Sequence, residues 1–460
     1  MTHSRPLAGL AAVGLGVALP TFDLAVNVAF PAITAAFELR TQDIRWIVAA
    51  YLVTNSALML GFGRLGDVVG HGRVFRAGVV ASALSFVACG LAPTYDLLLA
   101  ARMVQGVGAA LVMGCGPALA TSFFDETRRT WVLSAYVTMS AAAGVAAPLL
   151  GGASIAWLGW SGVFWFRLPV ALAALAFLAV ALPSASRGPL GSARYNGIAA
   201  AMLAAGLGSL LFAPVLLQSA APPWQAPSLA LAGVSLLAMF AIRQRDGHAS
   251  LLPTGVFGSP GFYSTNLANV LANLVAFAVP LFVPYFLARV TGAGPLTIGV
   301  LIAMSPLGIM AGSALATPAV RRLGRRGTAL AGGALLATVQ FLIGHWDAST
   351  PPVAIALTLV FHGAGLGLFV VAYTDSVIGA LPKEHRGVAG SLTVLTRTLG
   401  IIASVTLLTA AFHAFEAPRL QVRSAAVPAF LGAFEAVFQG SAVALAFAFA
   451  GFAAWRAALR

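Results

Sequence analysis

Long runs of hydrophobic residues, separated by short polar, charged or glycine- and proline-containing breaks, fill almost the whole chain. A helix that crosses a bilayer needs about 20 apolar residues, and the runs supply fourteen windows of that kind. The windows cover residues 7–30, 44–62, 74–92, 97–120, 131–153, 163–182, 196–217, 226–243, 263–288, 295–318, 328–345, 352–376, 387–411 and 433–457. The longest breaks, 244–262 and 412–432, are too short for a sizeable soluble domain. The pattern predicts an all-α integral membrane protein with fourteen transmembrane helices.

The composition points to the same class of protein. Hydrophobic residues make up 60% of the 460 residues and charged residues only 8%, whereas about 25% of a soluble domain is charged. A soluble multidomain enzyme, a disordered chain and a nucleic-acid-binding protein are therefore excluded. The continuous runs also differ from the alternating strands of an outer-membrane barrel. Both cysteines, Cys89 and Cys115, lie inside apolar runs, so we expect buried small side chains and neither a disulfide nor a metal site.

Basic residues are distributed unevenly between alternate breaks. If the N-terminus is cytoplasmic, 18 of the 26 basic residues fall on the cytoplasmic side and 6, Arg45 and Arg167 among them, fall outside. Arg102 and Arg397 remain inside the membrane. Because cytoplasmic loops are enriched in Lys and Arg, we expect both termini in the cytoplasm and interpret the excess positive charge as a topology signal. The first window is interpreted as an uncleaved helix, since it is longer than the apolar part of a signal peptide and contains Asp23.

Two short, basic, glycine-centred loops suggest an internal repeat. One follows the second window and is centred on Gly70, and the other follows the tenth window and is centred on Gly324. Repeated helical halves are a common plan of secondary transporters. The predicted domains are an N-terminal six-helix bundle (1–183), a two-helix insert with cytoplasmic linkers (184–261) and a C-terminal six-helix bundle (262–460).

The loop centred on Gly70 is similar to a cytoplasmic motif, Gly-x-Leu-x-Asp-Arg-x-Gly-Arg-Arg, of one transporter superfamily. It departs from that motif where Val68 replaces an arginine and His71 replaces another basic residue. An aspartate there can bind an arginine or a helix N-terminus, which would form a cytoplasmic latch. The residues assigned to this latch are Gly63, Asp67, Gly70 and Arg73.

Four further motifs of the same superfamily lie in the matching order along the chain, one before this loop and three after it. Span four contains Arg-x-x-Gln-Gly, beginning at Arg102, and span one contains Asp-x-x-x-Asn-x-Ala-x-Pro, beginning at Asp23. Span five has Gly144-Val-Ala-Ala147-Pro148-Leu-Leu-Gly151-Gly152, which is similar to Gly-x-x-x-Gly-Pro-x-x-Gly-Gly and departs from it at Ala147, which replaces a glycine. The segment after span five is similar to Trp-Arg-Trp-x-Phe…Asn-x-Pro, with Ser161 in place of the arginine and Arg167 in place of the asparagine.

With these five motifs the chain resembles the major facilitator superfamily, specifically its fourteen-helix drug:proton antiporter branch. The resemblance implies two six-helix bundles plus a two-helix insert, and proton-coupled antiport that exports amphiphilic drugs or secondary metabolites by alternating access. The expected partners are an amphiphilic small molecule, protons and the lipid bilayer, and we expect a monomer without a cofactor. The near-total replacement of lysine by arginine and the abundance of Ala and Gly fit a GC-rich bacterial genome. We therefore expect the protein in the bacterial inner membrane. The resemblance also implies an outer gate formed by Gly144, Pro148, Gly151 and Gly152.

Asp23 is the most informative residue, since an ionisable side chain inside a span usually faces the protein interior or a wet cavity. At a rise of about 1.5 Å per residue, Asp23 lies about 10 Å from the outer end of span one, and Arg102 lies about 8 Å deep in span four. The affinity of a buried carboxylate for protons depends strongly on whether an arginine is near. We therefore expect Asp23 and Arg102 to be the proton-coupling pair. A static buried ion pair, or no contact at all, are the alternatives.

A second set of polar residues inside the predicted spans is expected to line the substrate cavity. Three asparagines recur on one face of span nine, where hydrogen bonding between helices is the alternative. For His362 the alternative is a neutral buried histidine, and for Arg397 it is binding to backbone carbonyls. The set comprises Asn27, Asn55, Gln105, Asn266, Asn269, Asn273, His362 and Arg397.

The functions that compete with export are those of an importer or facilitator, a membrane-embedded enzyme, an ATP-driven pump and a non-transporting receptor. An importer or facilitator for a metabolite is disfavoured by the span-five motif. Only a flux assay distinguishes an exporter from a non-transporting membrane receptor with the same fold. The sequence lacks the His-Glu-x-x-His and Gly-x-Ser-x-Gly motifs of enzymes and the phosphate-binding loop of an ATP-driven pump. The deep charges of Asp23, Arg102 and Arg397 disfavour dications and favour neutral, zwitterionic, monocationic or anionic amphiphiles.

Overall fold

The computed structural model describes residues 4–125, 128–181, 196–216, 222–245, 260–379, 386–423 and 426–458. Within these residues the protein is helical apart from short turns, and it contains no β-strand there. The linkers predicted on either side of the two-helix insert lie for the most part outside the described residues.

The first ten helices are α1 (Ser4–Thr21), α2 (Leu24–Ala36), α3 (Arg45–Val69), α4 (His71–Gly90), α5 (Tyr95–Ser122), α6 (Arg129–Leu158), α7 (Gly162–Trp165), α8 (Arg167–Ala181), α9 (Gly197–Leu216) and α10 (Gln225–Arg245). The remaining helices are α11 (Pro260–Ala276), α12 (Ala278–Arg289), α13 (Pro295–Ile343), α14 (Pro352–Gly379), α15 (Arg386–Ala403), α16 (Thr409–Arg423) and α17 (Ala426–Ala458). A 3₁₀ turn, Thr41–Ile44, precedes α3, and a π-helical turn, Ser404–Leu408, joins α15 to α16.

Thirteen helical segments of the described chain are long and apolar enough to cross a membrane. One of them, α13, has 49 residues, which at about 1.5 Å per residue is far longer than a bilayer is thick. Gly324 interrupts α13 with φ of 71° and ψ of 168°, a conformation that glycine adopts without a Cβ clash. This helix therefore comprises two candidate spans. Counted in this way, the described residues contain fourteen candidate spans. The predicted all-α membrane fold is confirmed.

Several spans are discontinuous. The first span is split between α1 and α2 by a turn that contains Asp23, and the span formed by α11 and α12 is split at Phe277. A third break, at Phe166, separates α7 from α8. Broken helices in corresponding positions of two halves are associated with binding sites in transporters. The breaks in the first and the ninth spans occupy such positions, because each of these spans opens one of the predicted six-helix bundles.

The chain forms two compact units, Met1–Gly247 and His248–Arg460. In the first unit α5 packs against α3 and α4, α1 packs against α8, and α6 packs against both α1 and α2. The pair α9 and α10 pack against each other, and α9 also packs against α3. In the second unit α13 packs against α14 and α17, and α11 packs against α15. Buried apolar side chains from α11, α13, α14 and α17 form its core.

Candidate functional site

The candidate site begins where the first span is broken. Helix α1 ends at Thr21 and α2 begins at Leu24, and Asp23 lies in the turn between them. The Asp23 N–H donates to the carbonyl of Pro20 at 3.2 Å, three residues back instead of the four of an α-helix. The Asp23 side chain makes no capping hydrogen bond to α2. The carboxylate is therefore available to side chains from other helices.

Arg102 of α5 binds both oxygens of the Asp23 carboxylate. Its Nη1 donates to Oδ1, and its Nη2 donates to Oδ2 at 2.9 Å. Two parallel bonds of this kind are the arrangement in which guanidinium and carboxylate match best. The Nε of Arg102 donates to the Ile47 carbonyl at 3.3 Å, and its Cζ lies 4.6 Å from the centroid of the Tyr51 ring. Arg102 is 1% exposed, so Asp23 and Arg102 form a contact inside the first unit.

Gln105 completes the contact between these two residues. Its Nε2 donates to Asp23 Oδ1 at 3.0 Å, and its Oε1 accepts from Arg102 Nη1 at 2.8 Å. Gln105 lies three residues after Arg102 on α5, so the two side chains leave the same helix face. The structure thus places Gln105, predicted as a cavity residue, in the ion-pair cluster.

Arg167, at the start of α8, is a third partner that the sequence reasoning did not identify. Its Nη1 donates to Asp23 Oδ1 at 3.3 Å, and its side chain is fully buried. The charge count had assigned Arg167 to an outer segment, and this assignment is wrong. The signal that could have found it is the departure from the family motif, which has an asparagine at this position.

Asp23, Arg102, Gln105 and Arg167 are called the Asp23 cluster below. Its two guanidiniums are almost completely buried, whereas the Asp23 side chain is 18% exposed. Among the described residues, Asp23 is the only ion-pair partner of either guanidinium. One carboxylate therefore faces two buried cations. Nearby positive charges stabilise the charged form of a carboxylate.

The other polar residues predicted in the first unit are not hydrogen-bonded to this cluster among the described residues. Asn27 on α2 and Asn55 on α3 are both buried. The side-chain N–H of Asn55 donates to the sulfur of Met113 at 3.8 Å. The Oδ1 of Asn55 accepts no hydrogen bond from any described residue. Neither asparagine makes a hydrogen bond to the Asp23 cluster in the described chain.

The asparagines of span nine belong to a hydrogen-bonded network in the second unit. Asn269 donates to Thr396 Oγ1 at 2.8 Å, and Asn273 donates to Asn269 Oδ1 at 3.0 Å. The hydroxyl of Tyr373 donates to Asn266 Oδ1 at 2.9 Å and lies 3.2 Å from Thr396 Oγ1. These bonds link α11 to α14 and α15, which is the alternative that the sequence left open for the asparagines. Tyr373 and Thr396 could not be recognised from the sequence, because nothing in their spacing marks them as partners.

His362 and Arg397 differ in their surroundings. His362 on α14 is buried, and neither ring nitrogen has a hydrogen-bond partner among the described residues. Arg397 on α15 has an exposed side chain. An exposed arginine within a span suits a position on a wet surface, whereas the buried histidine suits its neutral form.

The predicted cytoplasmic latch has local partners in the structure. Asp67 lies 3.3 Å from Arg64 Nη1 and 3.3 Å from His71 Nε2, and Arg73 Nη1 donates to the Val69 carbonyl at 3.4 Å. Gly70 has φ of 103°, a conformation suited to glycine. It separates α3 from α4, just as Gly324 divides α13.

The corresponding loop in the second unit has an ion pair of its own. Arg325 Nε lies 2.6 Å from Asp375 Oδ2 of α14. In the first unit, Gly63 approaches the backbone of α5, since a Cβ on it would lie 3.3 Å from the Gly114 carbonyl oxygen.

The span-five motif packs beside the break in the first span. A Cβ on Gly151 would lie 2.7 Å from Ala25 Cβ, and one on Gly144 would lie 3.8 Å from Thr21 Cγ2. Pro148 and Gly152 are also buried along α6. The small residues therefore let α6 approach the first span on both sides of Asp23.

Comparison with known proteins identifies the family. The family model described as Major Facilitator Superfamily matches residues 8–405. Two uncharacterised MFS-type transporters of Mycobacterium tuberculosis are each 31% identical over 425 residues, which cover 87% of this chain. The chain spans only 58% of the length of these relatives.

Two further relatives are similar along most of their length. The methylenomycin A resistance protein of Streptomyces coelicolor is 28% identical, with 88% of this chain and 85% of the relative covered. Riboflavin transporter RibZ of Clostridioides difficile is 24% identical, with 88% of this chain and 87% of the relative covered.

A crystal structure of an auto-inhibited POT family peptide transporter superposes with a TM-score of 0.71 at 15% identity, covering 96% of both chains. At that identity the likeness concerns the fold alone.

Proposed function

The chain belongs to the major facilitator superfamily, and from that premise we propose that it is a proton-coupled antiporter that exports amphiphilic small molecules. The observation that carries the proposal is the Asp23 cluster. In it, an acidic side chain at a break in the first span is bound by Arg102 through two parallel hydrogen bonds. Such a group can release its proton while bound and take one up when the arginine moves away.

The coupling step depends on a change in the distance between α5 and the break in the first span. In the contact described above, Asp23 is ionised. Separation from Arg102 in the alternate state makes protonation of the buried carboxylate favourable, because the charged form then loses its strongest partner. Alternating access thereby converts the helix movement into proton uptake on one side and proton release on the other.

Export of an amphiphile is supported by the span-five motif and by a relative named as a methylenomycin A resistance protein. The relative named as a riboflavin transporter supports the second candidate, a transporter of an ordinary metabolite.

We place both termini in the cytoplasm and the protein in the bacterial inner membrane. Arg397, exposed on α15, is our candidate for contact with substrate in the second unit, and the loops around Asp67 and Arg325 are our candidates for cytoplasmic latches.

The proposal predicts that substrate-driven proton movement requires Asp23. Purified protein is reconstituted in liposomes with a trapped pH-sensitive dye, and a panel of amphiphilic compounds is added. We expect proton flux in the wild type and background flux in Asp23→Asn. The double variant Asp23→Asn, Arg167→Asn is measured alongside, because it retains the net charge of the wild-type cluster and therefore separates loss of coupling from loss of folding.

Asp347→Asn is the matched control, since Asp347 is an exposed loop carboxylate whose hydrogen bonds are to Ser349 and Thr350. It should keep the wild-type flux. Flux at the wild-type rate in a folded Asp23 variant would contradict the role of Asp23. Background flux in the wild type with every compound would count against proton coupling itself.

A further inference from the structure

We propose that the Asp23 cluster binds a small anion through Arg167. The cluster holds two guanidiniums and one carboxylate, and among the described residues no second carboxylate lies within ion-pair distance of either guanidinium. One positive charge is therefore left over in the interior of the first unit. An unpaired charge in such a position is costly, and a bound anion removes that cost.

The geometry of Arg167 shows where the anion binds. Nη1 of Arg167 is the nitrogen that contacts Asp23. The other two nitrogens, Nε and Nη2, are buried and have no hydrogen-bond acceptor among the described residues. By the covalent geometry of arginine, the N–H groups of Nε and Nη2 point in parallel from one edge of the planar guanidinium. That edge is the one that binds an oxyanion through two hydrogen bonds.

The surroundings of the Arg167 guanidinium are aromatic. The Cζ of Arg167 lies 5.5–5.7 Å from the ring centroids of Phe86, Phe164 and Phe166. Ring faces attract a cation, but they do not supply the lone-pair acceptor that a buried N–H group requires. Arg102, in contrast, uses all three of its nitrogens on the cluster and on the Ile47 carbonyl. The unmatched donors of the cluster are therefore concentrated on Arg167.

The chemistry of the ligand follows from these contacts. The two N–H groups require a compact acceptor with one negative charge, such as chloride or the carboxylate of formate or acetate. The side chain of Arg167 is fully buried, so a bulky anion is excluded from direct contact. The Asp23 side chain is 18% exposed, so the cluster is not completely sealed from its surroundings.

The test is a binding measurement on the purified full-length protein and does not require transport. The thermal midpoint is followed in a low-salt zwitterionic buffer while sodium chloride, sodium formate or sodium acetate is added. Sodium gluconate at equal ionic strength serves as the bulky control. We expect a saturable rise in the midpoint of a few degrees with at least one small anion, as for any ligand that binds only the folded state, and no saturable rise with gluconate.

Three variants make the result specific. Arg167→Asn should lose the saturable response, and Arg289→Gln should keep it, because Arg289 is a guanidinium beside aromatic rings in the other unit. Asp23→Asn should bind the anion more tightly, by about tenfold or more, since it removes the only negative charge of the cluster. This increase keeps the test informative even if Arg167→Asn fails to fold.

Chloride and carboxylate responses would both support the site and would identify its natural occupant by their relative affinities. Equal responses to all four salts, or a saturable response retained in folded Arg167→Asn, would overturn the proposal. A complete lack of response in both the wild type and Asp23→Asn would also overturn it. None of these outcomes depends on whether the protein is a proton antiporter.

Discussion

Replacing Asp23 with asparagine should destabilise the protein by about 3–5 kcal/mol, the cost of removing one partner from a buried ion pair. The neutral amide would leave Arg102 and Arg167 as two buried cations next to each other. Because their charges are compensated by Asp23 alone among the described residues, neutralising any other single residue of the cluster leaves a smaller charge imbalance.

The same reasoning predicts the other arms of a double-mutant cycle. Arg167→Asn alone leaves the parallel bonds between Asp23 and Arg102 in place, so we expect a change below about 1 kcal/mol. Adding Arg167→Asn to Asp23→Asn should recover at least about 1 kcal/mol, because neighbours in one charged network do not behave additively.

The cycle is measured by reversible unfolding in mixed micelles, in a buffer without small anions so that anion binding does not mask the effect. Additive effects of the two substitutions would contradict the description of the cluster as one electrostatic unit. Greater destabilisation by Arg167→Asn than by Asp23→Asn would show that Arg167 acts mainly through packing.

Adding a single methyl group at Gly363 should also destabilise the protein strongly. A Cβ on Gly363 would overlap the Ser305 carbonyl oxygen and lie 2.8 Å from the Ile309 nitrogen, both backbone atoms of α13. The contact in the other direction is equally close, since a Cβ on Gly308 of α13 would overlap the Val360 carbonyl oxygen of α14. Backbone atoms of two packed helices cannot move aside as a flexible side chain can. We expect Gly363→Ala to cost about 3 kcal/mol.

The matched control for this prediction is Gly440→Ala in α17, where an added Cβ meets no atom within 4 Å. Alanine should be neutral or slightly stabilising there, because it favours a helix more than glycine does. Thermal midpoints and yields of folded protein are compared for both variants. Equal stability of the two would contradict the close packing of α13 against α14.

The long apolar runs predicted the membrane fold because each span needs only hydrophobic length, a local property. The depth argument brought Asp23 and Arg102 to the same level, and the structure places them in contact. The break at Asp23 was not predicted, because the run around it remains apolar on both sides. Helix breaks of this kind depend on partners in other helices, and those partners cannot be read from local pattern.

Arg167 shows why charge counting has a limit. The charge count places it in an outer segment, yet its side chain is fully buried beside Asp23. A short connection can bring a charged residue into the protein interior when a buried counter-charge is present. The asparagines of α11 show a related limit. Their common face was correctly identified, but only the tertiary structure shows that Asn269 meets Thr396.

The coupling of substrate movement to protons is tested most directly by imposing a pH gradient on liposomes that contain the protein and a substrate found in the flux assay. With an acidic lumen, the account predicts that substrate accumulates inside above its external concentration as protons leave. It also predicts that a proton ionophore abolishes the accumulation and that the folded Asp23→Asn, Arg167→Asn variant shows none. Equilibration without accumulation, or accumulation only with an alkaline lumen, would contradict proton antiport.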